Sequence, residues 1–183
     1  MKSLGNTRLF CLAVLFGILV VLGIGAYDRW VRRPPIVANK LTSDIFVTEQ
    51  IQLADIPALR ARGFASIVDL RPDGEVAEQP SAKDVESITI VNHMGFAYVP
   101  VLHGEIPDSA VDALNKALST NSRPVLLYCR SGRRAVRTWS LVEASRAGGM
   151  KADVIQATAK AAGQSVDDLL PAIAERIARR QRK

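Results

Sequence analysis

Four short apolar runs punctuate the chain: 45–47 (IFV), 65–70 (ASIVDL), 96–102 (FAYVPVL) and 125–128 (VLLY). Runs of this length, rich in β-branched residues and bounded by turn formers, read as buried strands. Longer stretches between them carry apolar residues at helical spacing. Segment 53–62 has Asp55 and Pro57 near its start and Gly63 as its stop. Ser81, with Asp84 three residues on, resembles a capping box and opens a helix carrying Val85, Ile88 and Val91. The next helix starts at Asp108 or Ser109 and aligns Val111, Leu114 and Leu118 on one face. A helix from Ala135 follows the fourth run, aligns Trp139 and Val142, and ends at Gly148 and Gly149. Helical spacing then covers 151–162 and a last segment in which Pro171 sets the start or a bend.

Strands alternating with helices of this length predict βαβ units, hence an α/β fold with a mostly parallel central sheet flanked by helices. In such sheets ligands bind beyond the carboxyl ends of the strands. The loops expected at those ends are 71–75, 103–108 and 129–134, where polar residues cluster. Three loops are therefore expected to converge on one site.

The amino terminus breaks this pattern. Residues 9–27 are apolar or small throughout, and nineteen residues nearly match the roughly 30 Å hydrocarbon core of a bilayer. Lys2 and Arg8 precede the run; Asp28, Arg29, Arg32 and Arg33 follow, with Tyr27 and Trp30 at the expected interface. The expectation is an uncleaved anchor within 1–30 and a single-pass membrane protein. The rival reading is a signal peptide ending at Ala26. Positive residues on both sides leave the orientation open. Pro34 and Pro35 end the helix, 31–42 reads as a linker, and the folded domain is expected over 43–183.

The net charge of +6 is clustered near the hydrophobic run, in the 130s and in the last five residues. Clustering of this kind argues for local anion sites. No zinc-finger spacing or aromatic-basic interleaving supports nucleic-acid binding. Cys11 falls within the apolar run, so the folded part holds Cys129 alone and no internal disulfide. With only His93 and His103 and no Cys/His cluster, no metal site or cofactor is expected.

Cys129 ends the fourth strand, and Arg130, Ser131, Gly132, Arg133 and Arg134 lead into the next helix. A cysteine there meets unsatisfied backbone N–H groups, and three arginines within five residues add to the same field. Both favour the thiolate, the nucleophilic form. The stretch reads as an anion cradle with a nucleophile at its floor. Trp139 is expected in the core, Asp69 with Arg71 as an ion pair supporting the 71–75 loop, and Asp73-Gly74-Glu75 as a turn.

The segment from FVTEQIQLADIPALRARGFASIVDLRPDGE through YVPV to PVLLYCRSGRRA resembles the phosphatase-like domain of beta-lactamase-hydrolase-like proteins. That bacterial family is related to dual-specificity and tyrosine phosphatases, and with the expected anchor the resemblance implies a bacterial inner membrane. The likeness covers roughly 45–163. It implies the cysteine-phosphatase fold, hydrolysis of phosphomonoesters through a phosphocysteine, and a phosphorylated protein or small molecule as partner. Cys129 takes the role of nucleophile and Arg134 that of clamp on the phosphoryl oxygens. Arg130, Ser131, Gly132 and Arg133 line the cradle, and Arg71 stands beside it as a further binding residue.

Some positions depart from tyrosine phosphatases. Tyr128, not His, precedes the cysteine, four residues rather than five separate it from Arg134, and Ala135 follows where Ser or Thr is usual. The general acid is open among His103, Glu105 and Asp108, with His103 nearest the strand end. The four-residue count and the form CRSGRR are also similar to rhodaneses, whose cysteine carries a persulfide. A sulfurtransferase, and a phospho-ligand binding module that turns over slowly, therefore stand as alternatives.

Overall fold

The computed structural model describes residues 3–31 and 35–182. Its internal contacts divide the chain into two units, 1–35 and 36–183.

The first unit is a single helix, α1 (Ser3–Val31). The expected membrane anchor, and with it the inner-membrane placement, is not upheld: among the described residues no helix is long and apolar enough to cross a membrane. Of the flanking residues, Lys2, Arg32, Arg33 and Pro34 lie outside the described residues, as do the side chains of Arg8, Ala26, Tyr27, Asp28, Arg29 and Trp30.

The second unit is a five-stranded sheet with helices on both faces. Its strands are β1 (Asn39–Lys40), β2 (Ile45–Thr48), β3 (Ser66–Asp69), β4 (Gly95–Tyr98) and β5 (Val125–Tyr128), in the spatial order β1-β2-β5-β3-β4. Four strands run parallel and β1 pairs antiparallel with β2. The sheet is therefore mixed, with the expected parallel centre. The folded unit also begins earlier than the expected boundary at 43. Ile36 accepts a 2.7 Å hydrogen bond from Arg62, Asn39 and Lys40 form β1, and Leu41 is buried. Two polar strand residues on an edge carry no hydrophobic periodicity, so the sequence pattern does not mark them.

Period-two alternation on the central strands fills both faces. Val125 and Leu127 join one core with Val111 and Leu114 of α4 (Asp108–Thr120) and with Val136, Trp139 and Val142 of α5 (Arg133–Ser145). Ile155 of α6 (Ala152–Ala161) and Ile173 of α7 (Leu170–Gln181) complete it. Leu126 and Tyr128 join the other core with Ile56 and Leu59 of α2 (Ile56–Ala61) and Val85 of α3 (Ala82–Val91). Covered faces explain why VLLY reads as an unbroken apolar run. Ser81 caps α3 as expected, its hydroxyl accepting the Asp84 N–H at 3.1 Å.

The basic tail is more than a solvated helix end. Arg180 on α7 donates to the carbonyls of Glu143, Ala144 and Met150 at 2.6, 3.3 and 2.8 Å. A guanidinium there satisfies the orphan carbonyls at the carboxyl end of α5 and complements its dipole.

What matters for the site is register. Thr48, Tyr128, Asp69 and Tyr98 pair laterally across β2, β5, β3 and β4. The four parallel strands thus end on one level, and the loops after β3, β4 and β5 leave from the same edge.

Candidate active site

Cys129 follows directly on the last residue of β5 and is 1% exposed. The chain then turns through Gly132, whose φ of 79° lies in the left-handed region, before α5 starts at Arg133. A Cβ at Gly132 would stand 3.4 Å from the Thr48 carbonyl oxygen and 3.5 Å from Val47. Both the backbone conformation and the space favour glycine there. Arg130, Ser131 and Arg133 are exposed, while Gly132 and Arg134 are buried.

The carbonyls of this loop face outward onto the scaffold. Arg130 O accepts the Gln50 N–H at 3.3 Å, Ser131 O accepts Gln164 Nε2 at 3.0 Å, and Gly132 O accepts the Val136 N–H at 3.0 Å. Among the described residues, the N–H groups of residues 130–134 have no acceptor. They form a concave nest at a helix N-terminus, a natural anion cradle.

Arg134 sits in the first turn of α5 and is 8% exposed. Its Nη1 donates to Glu75 Oε1 at 2.5 Å and to the Val101 carbonyl at 2.8 Å, and its Nη2 donates to Glu75 Oε2 at 2.9 Å. Those bonds occupy three of the five guanidinium N–H groups. The remaining two, on Nε and the far side of Nη2, share one edge and form a bidentate donor pair. Burial works against the charge of Arg134, but Glu75 and the neighbouring Cys129, through charge and hydrogen bonding, hold its pKa above the ordinary value.

Glu75 is the hub of the site. It takes the fork of Arg134 and also the Nε of Arg71 at 2.9 Å. The Arg134 hydrogen bond, with Arg71 and both positive charges, outweighs partial burial and holds the Glu75 carboxyl down at about 2. His103 is exposed, its Nε2 3.6 Å from Glu75 Oε1. A single carboxylate thus ties together the loops after β3, β4 and β5.

Arg71 is buried, its Nη1 donating to Gln50 Oε1 at 2.8 Å. The expected ion pair with Asp69 does not form: Asp69 Oδ1 accepts the backbone N–H of Arg71 at 2.7 Å, and the guanidinium turns to Glu75. Asp73 is fixed by two bonds, its N–H donating to the Tyr98 hydroxyl at 2.9 Å and its Oδ1 accepting the Ala82 N–H at 2.8 Å. Asp108, a candidate acid, is engaged by Arg176 of α7 instead of facing the cradle. Glu105 is exposed. Glu75 and the two glutamines that anchor the loop have no marker in sequence beyond the i, i+4 spacing of Arg71 and Glu75, which a polar turn shows equally well.

Under the cradle, Asp69 and Tyr128 are neighbours in register and both fully buried. Asp69 Oδ2 and the Tyr128 hydroxyl lack a partner of good hydrogen-bond geometry, yet they are close enough to shift each other's titration. Burial pushes the Asp69 carboxyl up to about 6, against the pull of Tyr128 and the Arg71 N–H. Burial, then Asp69, likewise pushes the Tyr128 phenol up. The folded state therefore holds the Asp69 proton more tightly than the unfolded chain. Stability from this group is full below the unfolded value and declines as pH rises towards 6. Asp69→Asn keeps the acceptor for Arg71 and removes the buried charge. It is expected to abolish this decline and to raise stability at pH 7 by at most about 3 kcal/mol, the equivalent of a shift from 3.8 to about 6. Thermal melts of both proteins from pH 4 to 7 check this, and a variant melting below wild type at pH 7 contradicts it.

This geometry has counterparts in known proteins. Residues 38–148 match the family model of the beta-lactamase hydrolase-like protein, phosphatase-like domain. The chain belongs to that family. Beta-lactamase hydrolase-like proteins of Agrobacterium fabrum and Xylella fastidiosa are 31% identical over 107 residues and 34% identical over 102 residues. The matches cover 58% and 56% of this chain but only 25% and 23% of those proteins. The chain thus spans about a quarter of the curated relatives it matches. Among solved structures, a phosphatase candidate of Neisseria meningitidis superposes with a TM-score of 0.66 at 27% identity, covering 75% of this chain and 96% of that one. Kinase associated phosphatase superposes with a TM-score of 0.62 at 12% identity, over 80% of this chain and 98% of that chain, a likeness of fold. The family's phosphatase-like domain thus has the α/β fold seen in these phosphatases.

Proposed function

We propose that the chain hydrolyses phosphomonoesters through a phosphocysteine on Cys129. The observation that carries this reading is the meeting of a buried strand-end sulfur, a nest of N–H groups at a helix N-terminus and an edge of Arg134 that neither Glu75 nor Val101 takes. In the first step the Cys129 thiolate attacks phosphorus, the P–S bond forms and the P–O ester bond breaks. The departing oxygen takes a proton from a general acid. His103 is the candidate the geometry favours, because it lies on the rim beside Glu75 while Asp108 is bound to Arg176. In the second step water attacks phosphorus, the P–S bond breaks, and phosphate leaves with the thiolate restored. Arg134 and the loop N–H groups hold the equatorial oxygens throughout, placed in advance where charge is carried. Kinase associated phosphatase, which shares the fold, has a catalytic-site cysteine of its own.

The four residues between Cys129 and Arg134 favour a second reading, a sulfurtransferase with a Cys129 persulfide. One paired assay of the full chain separates the two: phosphate release from an aryl phosphate, and thiocyanate formation from thiosulfate and cyanide. Cys129→Ser is expected to abolish phosphate release, a loss of about a thousandfold or more. Thiocyanate formation without phosphate release favours the second reading. Phosphate release that survives the substitution removes Cys129 as nucleophile.

A further inference from the structure

The cradle carries more positive charge than one phosphate uses. Arg134 and Arg71 share Glu75. With the N–H nest, Arg134 already meets the charge of a single phosphate dianion. Arg130 and Arg133 stand in addition to these. Both are exposed on the cradle loop, and among the described residues neither side chain has a hydrogen-bond or ion-pair partner. Arginines farther along this side are matched by acids: Arg137 binds both oxygens of Asp168 at 2.6 and 2.8 Å, and Arg176 holds Asp108. Asp168 feels Arg133 only as a more distant charge, after its engagement with Arg137. Arg130 and Arg133 flank the loop that carries the N–H nest, and their exposed charges raise the local concentration of anions there.

Resting on the phosphatase reading of the site, we infer that its substrate is a small phosphate ester with a second phosphate group close to the scissile one, and that Arg130 and Arg133 select it. Proximity follows from placement. Both arginines lie within four residues of Cys129, so the second group sits within one small molecule's span of the first. An extended acidic peptide finds less to bind, since Arg137 is already paired with Asp168 and Asp167 and Asp168 are exposed there.

The test measures binding and turnover separately. Calorimetry with full-length Cys129→Ser protein compares ribose monophosphate with ribose bisphosphate, at low and at raised salt. The bisphosphate is expected to bind at least about tenfold more tightly, as one charge-assisted contact supplies. Adding Arg130→Ala and Arg133→Ala should collapse that preference to about twofold or less, the statistical value for two equivalent groups. Equal affinities in the Cys129→Ser protein, or a preference that survives loss of both arginines, overturn the inference. A third arm uses a phosphotyrosine peptide with acidic neighbours. An arginine-dependent gain for that peptide and none for ribose bisphosphate also overturns it. Turnover by wild type reports on the phosphatase reading alone: absence of phosphate release from every substrate strikes that reading, while the affinity ratio still decides the selectivity. Both arginines are exposed, so the substitutions leave the fold intact, which a thermal melt verifies.

Discussion

Arg134→Lys is expected to lower kcat/KM for an aryl phosphate by about a thousandfold, the scale of losing a preorganised donor at a charged transition state. Arg134 has two tasks at once. Three of its N–H groups fix it to Glu75 and Val101, and the proposed mechanism assigns the remaining edge to the phosphoryl oxygens. A lysine ammonium is a compact charge with three rotatable donors and no planar fork. It can hold Glu75 or reach the phosphoryl group, but it cannot do both in fixed geometry. The fall should appear mainly in kcat, because the lost contacts strengthen as the phosphoryl group transfers. Steady-state kinetics on the full chain, with a melt to verify folding, measure this. A loss of less than about tenfold in a folded variant contradicts the clamp role.

Glu75→Gln is the second large effect, and it reads on both stability and activity. Glu75 is the shared counter-ion of two largely buried guanidinium groups, with 17% of its own side chain exposed. The amide keeps the shape, but its NH₂ group faces donors and leaves two cations without a carboxylate. Removing one partner of a buried pair costs about 3–5 kcal/mol, and the partial exposure here reduces the expectation to about 2 kcal/mol. The clamp then loses its fixed orientation, and activity should fall about ten- to a hundredfold. The pH dependence supplies an independent signature. Glu75 has a folded value near 2 against 4.5 unperturbed, so its contribution is full above about pH 4.5 and lost as pH falls towards 2. Wild type should therefore lose stability over that window, and the glutamine variant should lose less. Equal acid sensitivity of the two proteins contradicts the hub role.

These effects centre on a residue that the sequence pattern treats as part of a turn. The strands and helices are legible because VLLY and the segments around Val111 and Trp139 carry plain periodicities. The meeting of three loops is legible because parallel strands end at one edge, whatever the side chains do. Cys129, Gly132 and Arg134 stand out because the proposed nucleophile, the left-handed glycine and the fork are local in sequence. Glu75 meets Arg134 across 59 positions, and nothing in DGE distinguishes an acid that binds an arginine in space from one in solvent. Arg71 misleads for the same reason. Its nearest acids in sequence are Asp69 and Asp73, but the strand end turns the Asp69 carboxylate back onto the Arg71 backbone, and Asp73 accepts the Ala82 N–H. The ion pair of Asp108 is equally invisible in sequence, because its partner Arg176 lies on α7, 68 positions later. The apolar run at 9–27 misleads on hydropathy alone, since only length and composition speak for a span there.

Trapping the covalent intermediate tests the central claim most directly. The full chain is mixed with an aryl phosphate, quenched in acid within a turnover, and digested for mass spectrometry. The expected result is one phosphoryl group on the peptide containing Cys129, formed at the rate of aryl alcohol release and absent from Cys129→Ser. Aryl alcohol released at full rate with Cys129 unmodified at every quench time would contradict it.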